Sequence, residues 1–187
     1  MQDFVHLHVH SQYSILDGQA SIQKLVDKAI GDGMRGIAIT DHGNMFGIKE
    51  FWNYVKKKNG ARRDKVKQTS AAVAELQAVV DAGEASDEQR TELARLKAEY
   101  DALPKEDFKA IIGCEVYVAR NGMLVKSGKE NQSGYHLILL AKNEKGYKNL
   151  IKIVSKAWTD GFYMRPRTDH AELKKYREGL ICCSACL

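Results

Sequence analysis

Short apolar runs alternate along this chain with amphipathic ones, with only a few residues between them, and this rhythm narrows the choice of fold more than any other feature. Residues 4–10 place Val5, Leu7 and Val9 on one side and His6, His8 and His10 on the other, which predicts a strand with three imidazoles in a column. Ser21 stands where a helix cap is needed, ahead of Ile22, Leu25, Val26, Ala29 and Ile30 at helical spacing, and Gly31 and Gly33 stop the run. Residues 36–40 read as a short buried strand, Asp41, His42, Gly43 and Asn44 as the turn after it, and residues 47–58 as a second helix. Strand, helix, strand, helix with short loops predicts a parallel α/β fold.

Residues 59–109 interrupt the rhythm. Ala, Glu, Gln, Lys and Arg dominate, while Val73, Leu76 and Val80, then Leu93, Leu96, Tyr100 and Leu103, recur at helical spacing. Gly83 separates the halves, Ser86 with Gln89 resembles a capping box, and Pro104 stops the second half. The expectation is an antiparallel helical hairpin inserted into the α/β unit. Its polar faces lack clustered ligands and suit a structural or partner-binding role. The α/β pattern resumes with strands at 110–118 and 135–141. A helix follows from a cap at Asn143 to about Asp160, with Leu150, Ile151, Ile153 and Val154 inward. A short helix after Asp169 and a last strand at 180–184 complete the chain.

A chain of 187 residues fits one domain carrying an insertion. Lys plus Arg number 29 against 24 Asp plus Glu, a net +5. That excess permits an anionic partner such as nucleic acid or a phosphate ester, and equally describes a solvated, lysine-rich surface. No basic-then-apolar leader is visible at Met1, and no run approaches the ~18 apolar residues of a membrane span. Cys114, Cys182, Cys183 and Cys186 suit reduced thiols and a cytoplasmic setting. The phosphate loop GxxxxGK[ST], the dinucleotide fingerprint GxGxxG and the nucleophile elbow GxSxG are all missing, so the chemistry they serve has no support.

What chemistry the sequence offers lies at strand ends. His8 and His10 share one strand face about 6–7 Å apart, close enough for one ion or two adjacent ones, although an isolated His-x-His also suits core or surface histidines. Asp17 offers a carboxylate just after that strand. Asp41 and His42 follow the next strand, at the edge where α/β folds gather functional groups. Glu115 lies among apolar neighbours, where a carboxylate must be coordinated or paired, with a lysine as one candidate. His136 opens its strand instead of closing it, so an antiparallel step or an irregular barrel is needed to bring it to the same edge. Cys183 and Cys186 have CxxC spacing without a second pair, which argues against a zinc ribbon and leaves one thiolate as a candidate ligand. His170 looks peripheral.

Taken in order, the segments His6-Leu7-His8-Val9-His10-Ser11, Tyr13-Ser14-Ile15-Leu16-Asp17-Gly18, Ile39-Thr40-Asp41-His42-Gly43-Asn44-Met45-Phe46-Gly47, Gly113-Cys114-Glu115-Val116-Tyr117 and Ser184-Ala185-Cys186-Leu187 form a series. It closely resembles the PHP (polymerase and histidinol phosphatase) domain family, in the branch at the N-terminus of bacterial DNA polymerase III alpha subunits. Tyr135-His136-Leu137 and Gly146-Tyr147-Lys148-Asn149-Leu150 resemble that branch too.

The resemblance implies a distorted (β/α)7 barrel over 1–187, truncated at its C-terminal side and carrying the 59–109 insertion. It implies up to three divalent ions, zinc or manganese, held by His8, His10, Asp17, His42, Glu115 as a bridge, His136 and Cys186. His8, His10 and Glu115 would act in catalysis through those ions. Asp41 becomes a supporting residue at the strand end, and His6 a deeper core or supporting histidine. The family's final metal motif, Asp-x-His, is expected beyond residue 187, which would leave this fragment inactive by itself. The implied activity is 3′–5′ proofreading exonuclease in a replicative DNA polymerase, a nucleotidyltransferase. The implied partners are DNA, the rest of the alpha subunit and other replisome subunits, with no membrane. Two rivals share the resemblance: a silent docking module for a separate proofreading subunit, and a histidinol-phosphatase-like phosphoesterase.

Overall fold

The computed structural model describes residues 4–185 in two units, one made of the residues up to Asn53 and from Lys109 on, the other of Tyr54–Phe108. In the first unit, α1 (Ile22–Gly31) starts as its cap predicts, with the Lys24 amide donating to Ser21 Oγ at 3.4 Å. Ile22, Val26 and Ala29 are buried on one face, while Ile30 is partly exposed. Gly33 ends the helix at φ +76°, returning its amide to the Ile30 carbonyl.

The sheet is built on the ten-residue strand β2 (Lys109–Val118). Strand β1 (Gly36–Ile39) pairs in parallel with its first half. Strand β3 (Tyr135–Ala141) pairs antiparallel with its second half, and β4 (Arg167–Thr168) joins at its end in parallel. Strand β5 (Leu180–Ser184) lies antiparallel on the far side of β3. The sheet is therefore mixed and not all parallel as expected. The reason lies in the connection: a 16-residue loop between β2 and β3, holding only a short 3-10 turn at Lys129–Asn131, has no helix to carry the chain back to the starting end.

Helix α4 (Glu144–Thr159) is capped by Asn143 and packs on one sheet face, where Leu150, Ile153 and Val154 meet Cys114, Val116, Val118 and Leu139. Ile151, expected inward, is 39% exposed. The helix runs back from the far end of β3, so its last turn ends at the same side of the molecule as the C-terminal end of β2. Helix α5 (His170–Tyr176) is capped by Asp169, whose carboxylate accepts from the amides of Glu172 and, across the loop, Met123. The opposite sheet face carries Ala38, Ile138 and Leu140, and beyond them toward the C-terminal end of β2 the polar side chains of Glu115 and His136.

Residues 4–10 form no regular strand. The Ala38 amide donates to the His6 carbonyl and the Thr40 amide to that of Val9, so two residues of one segment span three of the other. The Val9 amide is taken by Thr40 Oγ1 and not by a backbone carbonyl. This slip breaks the expected alternation: Phe4 and Leu7 are half-exposed, and His6 is exposed beside Phe4 and not in the core.

Helix α2 (Ile48–Asp81) does not stop near Lys58 but continues for 34 residues. Its later turns and α3 (Asp87–Ala102) make up the Tyr54–Phe108 unit. Gly83 adopts φ +77° between them, and the Ser86–Gln89 capping box is formed in both directions. Leu103, just before Pro104, is extended, as a residue preceding proline prefers. Asn59 exchanges both its amide groups with the Phe108 backbone, and Arg62 holds Asp107 and the Pro104 carbonyl.

Candidate metal centre

Glu115 lies on β2 with 1% exposure, and four imidazoles close around it. His8 Nε2 is 3.0 Å and His10 Nε2 3.3 Å from Oε2. His42 Nδ1 is 3.1 Å and His136 Nδ1 2.8 Å from Oε1. On its other side His42 Nε2 meets Asp17 Oδ2 at 2.9 Å. Six of the seven ligands named from the sequence thus converge, and the seventh, Cys186, lies outside the described residues.

Each arrival has a local cause. Past the end of β1 the chain keeps the same register on β2, so that His42 stands opposite Glu115 and the Gly43 amide donates to the Glu115 carbonyl. Gly43 sits at φ +59°, and a Cβ there would stand 2.6 Å from Pro166 Cγ, so glycine is required on both counts. The antiparallel β2–β3 pairing sets His136 opposite Tyr117, which supplies the step the sequence reading needed. Asp17 ends a tight turn closed by the Ser14, Asp17 and Gly18 amides, and any Cβ at Gly18 would overlap the Ser11 carbonyl.

Asp41 is no part of the cluster. Its buried carboxylate accepts from the Ser11 amide, Ser11 Oγ and Ser14 Oγ at 2.6–2.7 Å. Two hydroxyls that sequence reasoning passed over, Ser14 and Thr40, set the tautomers of the first two histidines. Ser14 Oγ gives its one hydrogen to Asp41 Oδ1, so the contact with His10 Nδ1 at 3.0 Å requires the imidazole to donate. Thr40 Oγ1 donates to the Val9 carbonyl, so His8 Nδ1 at 2.8 Å donates likewise. These assignments follow from the hydrogen-bond inventory. A hydroxyl four residues after His10, and another just before the Asp41-His42 pair, were the signals available in the sequence.

With both Nδ1 atoms protonated and turned outward, both Nε2 atoms aim at the same carboxylate oxygen. Lone pair would face lone pair at about 3 Å unless positive charge, a proton or a metal ion, sits among them. The electrostatics carry the same demand. Burial and the three neighbouring imidazoles push the His8 pKa down against the pull of Glu115. The hydrogen bond to Glu115 raises that of His10. Burial alone would raise the Glu115 carboxyl, but His10, His42 and His136 outweigh it and hold the carboxyl below its usual range. The Asp17 carboxyl is lowered by its bond to His42.

The donor set fits a divalent ion. The ligand atoms of His8, His10 and Glu115 all lie within 4.8 Å of one another, near enough for a modest closure to bring them to the roughly 3.3 Å that separates neighbouring donors on a tetrahedral zinc. Imidazole and carboxylate suit zinc and manganese alike, and the outer nitrogens of His8 and His10 are tied to hydroxyls in the way that orients metal-binding imidazoles. No helix among the described residues is long and apolar enough to cross a membrane.

Comparison with known proteins gives an independent view of the same residues. The family model "PHP domain" matches residues 6–187. The chain is 40% identical over 185 residues to DNA polymerase III subunit alpha of Borreliella burgdorferi and 41% identical over 187 residues to that of Treponema pallidum, covering 98% of this chain each time. It is 34% identical over 192 residues to the same subunit of Aquifex aeolicus, covering the whole chain. In each case the chain spans only 12% of the relative's length.

Proposed function

The chain belongs to the PHP domain family, and from that premise we propose that the cluster around Glu115 is a divalent-metal phosphoesterase site serving as a 3′–5′ exonuclease within a replicative DNA polymerase alpha subunit. The observation that carries this reading is the aim of two Nε2 atoms, their outer nitrogens tied, at one oxygen of a buried carboxylate. The holders would be His8, His10, Asp17, His42, Glu115 and His136, with Cys186 a seventh by resemblance. Up to three ions, zinc or manganese, would acidify water and draw negative charge from a phosphodiester. Glu115 keeps its two oxygens apart, Oε2 toward His8 and His10 and Oε1 toward His42 and His136, which suits a bridging ligand. Asp41 holds Ser14, Ser14 holds His10, and Thr40 holds His8, so the donors are set before any ligand arrives.

The same reading takes 1–187 as one PHP domain of distorted (β/α)7 type, with 59–109 as a helical insertion that has a structural or partner-binding role. DNA, the rest of the alpha subunit and other replisome subunits are its partners, and the cytoplasm its setting.

The test is metal uptake followed by excision. Elemental analysis after zinc or manganese loading should find at least one ion per chain, lost in His10→Ala and weakened about 10–100-fold in Ser14→Ala. In a full-length alpha subunit carrying this domain, His10→Ala should abolish removal of a mismatched 3′ nucleotide while polymerisation stays within a few-fold. Metal uptake without any DNA digestion would favour the docking-module reading. Failure to take up metal would rule out the site.

A further inference from the structure

Beside the Glu115 cluster the surface carries aromatic rings that the fold does not bury. Phe46 is 65%, Trp158 42% and Phe162 44% exposed. Trp158 stacks on Phe162 with centroids 5.6 Å apart and planes 21° from parallel, and the Phe46 ring lies 6.2 Å from that of Trp158, tilted by 41°. Met45, Phe46, Ile151 and Trp158 line a shallow groove of about 370 Å³ there. Three large aromatics exposed close together are unusual on a protein surface and mark a place of contact.

This patch is joined to the cluster. Trp158 Nε1 donates to the Gly43 carbonyl at 2.7 Å, and Gly43 follows His42. Next to Gly43 stands Tyr117, whose ring lies 4.9 Å from that of His136. Over Tyr117 lies Arg165, exposed, with its guanidinium 5.1 Å from the ring and Nη1 donating to the hydroxyl at 3.0 Å. The turn that places it holds Met164 at φ +61°, a conformation costly for a side chain of that kind. Both partners of Arg165 are neutral, and among the described residues no carboxylate pairs with it, so its charge is left for an anion.

We propose that Phe46, Trp158 and Phe162 form a stacking platform for the bases of an unpaired DNA strand, and that Arg165 takes a phosphate of that strand next to the Glu115 cluster. The proposal rests on the phosphoesterase reading above and specifies its substrate as single-stranded. The chemistry favours a nucleic acid over a protein partner. The ring surface that Phe46, Trp158 and Phe162 leave exposed can take bases whatever their identity, and a cation reached through Tyr117 suits a phosphate between bases.

The test is binding by this chain in EDTA, so that neither metal uptake nor cleavage enters. In a Trp52→Phe background, Trp158 is the only tryptophan. Twelve-residue oligo-dT should quench its fluorescence, and an abasic strand of equal charge should bind about tenfold more weakly. Phe46→Ala, at a largely exposed ring, should weaken oligo-dT binding about tenfold and leave abasic binding unchanged. Read by the anisotropy of dye-labelled oligo-dT, since the reporter ring is gone, Trp158→Phe should keep most of the affinity, which separates stacking from loss of the bond to Gly43. Arg165→Gln should weaken both strands alike and lower the salt slope by about 0.7.

Equal binding of the two strands, or wild-type affinity in Phe46→Ala, would overturn the proposal. So would an aromatic variant that changes only self-association in sedimentation, which would assign the patch to protein contact. Loss of metal uptake with oligo-dT quenching intact would instead count against the phosphoesterase reading alone.

Discussion

In the Tyr54–Phe108 unit charged side chains meet at the surface about one helical turn apart, the exposed Arg95 with the half-exposed Glu92 and Glu99. In the α/β unit Glu115 and Arg167 are at most 1% exposed, one closed in by four imidazoles and the other by backbone carbonyls. Water screens the first kind of pair, so it contributes little and tolerates change. The second kind has given up its hydration, and losing one partner leaves a charge or a carbonyl with nothing in its place. The difference separates a helical surface from a built site, and substitutions should reproduce it.

Glu115→Gln is expected to have the largest effect. It keeps the shape but removes the charge that all four histidines face, and divalent-metal affinity should fall by more than about 100-fold, beyond the usual effect of losing an outer hydrogen-bond partner. Calorimetric titration with zinc measures it. Glu92→Gln in the helical unit is the matched control and should leave uptake unchanged. Equal uptake by the Glu115 variant would erase the contrast.

Arg167→Met comes next. The guanidinium donates to the carbonyls of Gly161, Asn131 and Met123 at 2.7–3.1 Å, tying two loops to β4. Methionine fills much of the space and strands three acceptors, which should cost about 3 kcal/mol in urea unfolding. A loss below about 1 kcal/mol would mean that water replaces the guanidinium and that the site is less dry than its burial implies.

The same contrast explains what could be read from the residues alone. Alternating apolar runs and cap signals revealed β2, β3, α1 and α4, because burial and capping act locally. The clustered histidines and acids were visible as donor chemistry, but convergence on Glu115 depends on long-range pairing, and only the resemblance to known domains anticipated it. The N-terminal alternation misled because one hydroxyl, Thr40, displaces a ladder bond and slips the register, an effect that periodicity does not record. Arg165 and Arg167 went unnoticed because a lone arginine in a loop carries no pattern. The long polar helix was cut short because it lacks a strong apolar stripe and holds a glycine.

A smaller effect tests the capped edge of the α/β unit by pH. Burial favours the neutral form of Asp169, but the amides of Glu172 and Met123 outweigh it and hold its carboxyl below the usual range. A carboxyl lowered on folding adds stability above its unfolded pKa of about 4, and that stability is lost as pH falls through the lower folded value. Asp169→Asn still caps the helix but loses one acceptor, and should cost about 1 kcal/mol at pH 7. Melting curves from pH 7 to pH 2 should show the gap between variant and wild type closing below pH 4. A gap independent of pH would remove the charge from the account.

The smallest effect should also have the opposite sign. Gly60 lies inside α2, and a Cβ built there meets nothing within 4 Å. Glycine in a helix interior costs roughly 0.5–1 kcal/mol relative to alanine, because the unfolded chain has more freedom to lose. Gly60→Ala should therefore raise stability by about that amount in urea unfolding followed by far-UV circular dichroism. At Gly43 the same change meets Pro166 and a positive φ, and it should destabilise. The pair of substitutions thus asks one question of both regions, whether the backbone has room. The answer also bears on the long helix itself. Only if α2 is continuous through residue 60 does an alanine there stabilise it, and a loss of stability would restore a break near Lys58.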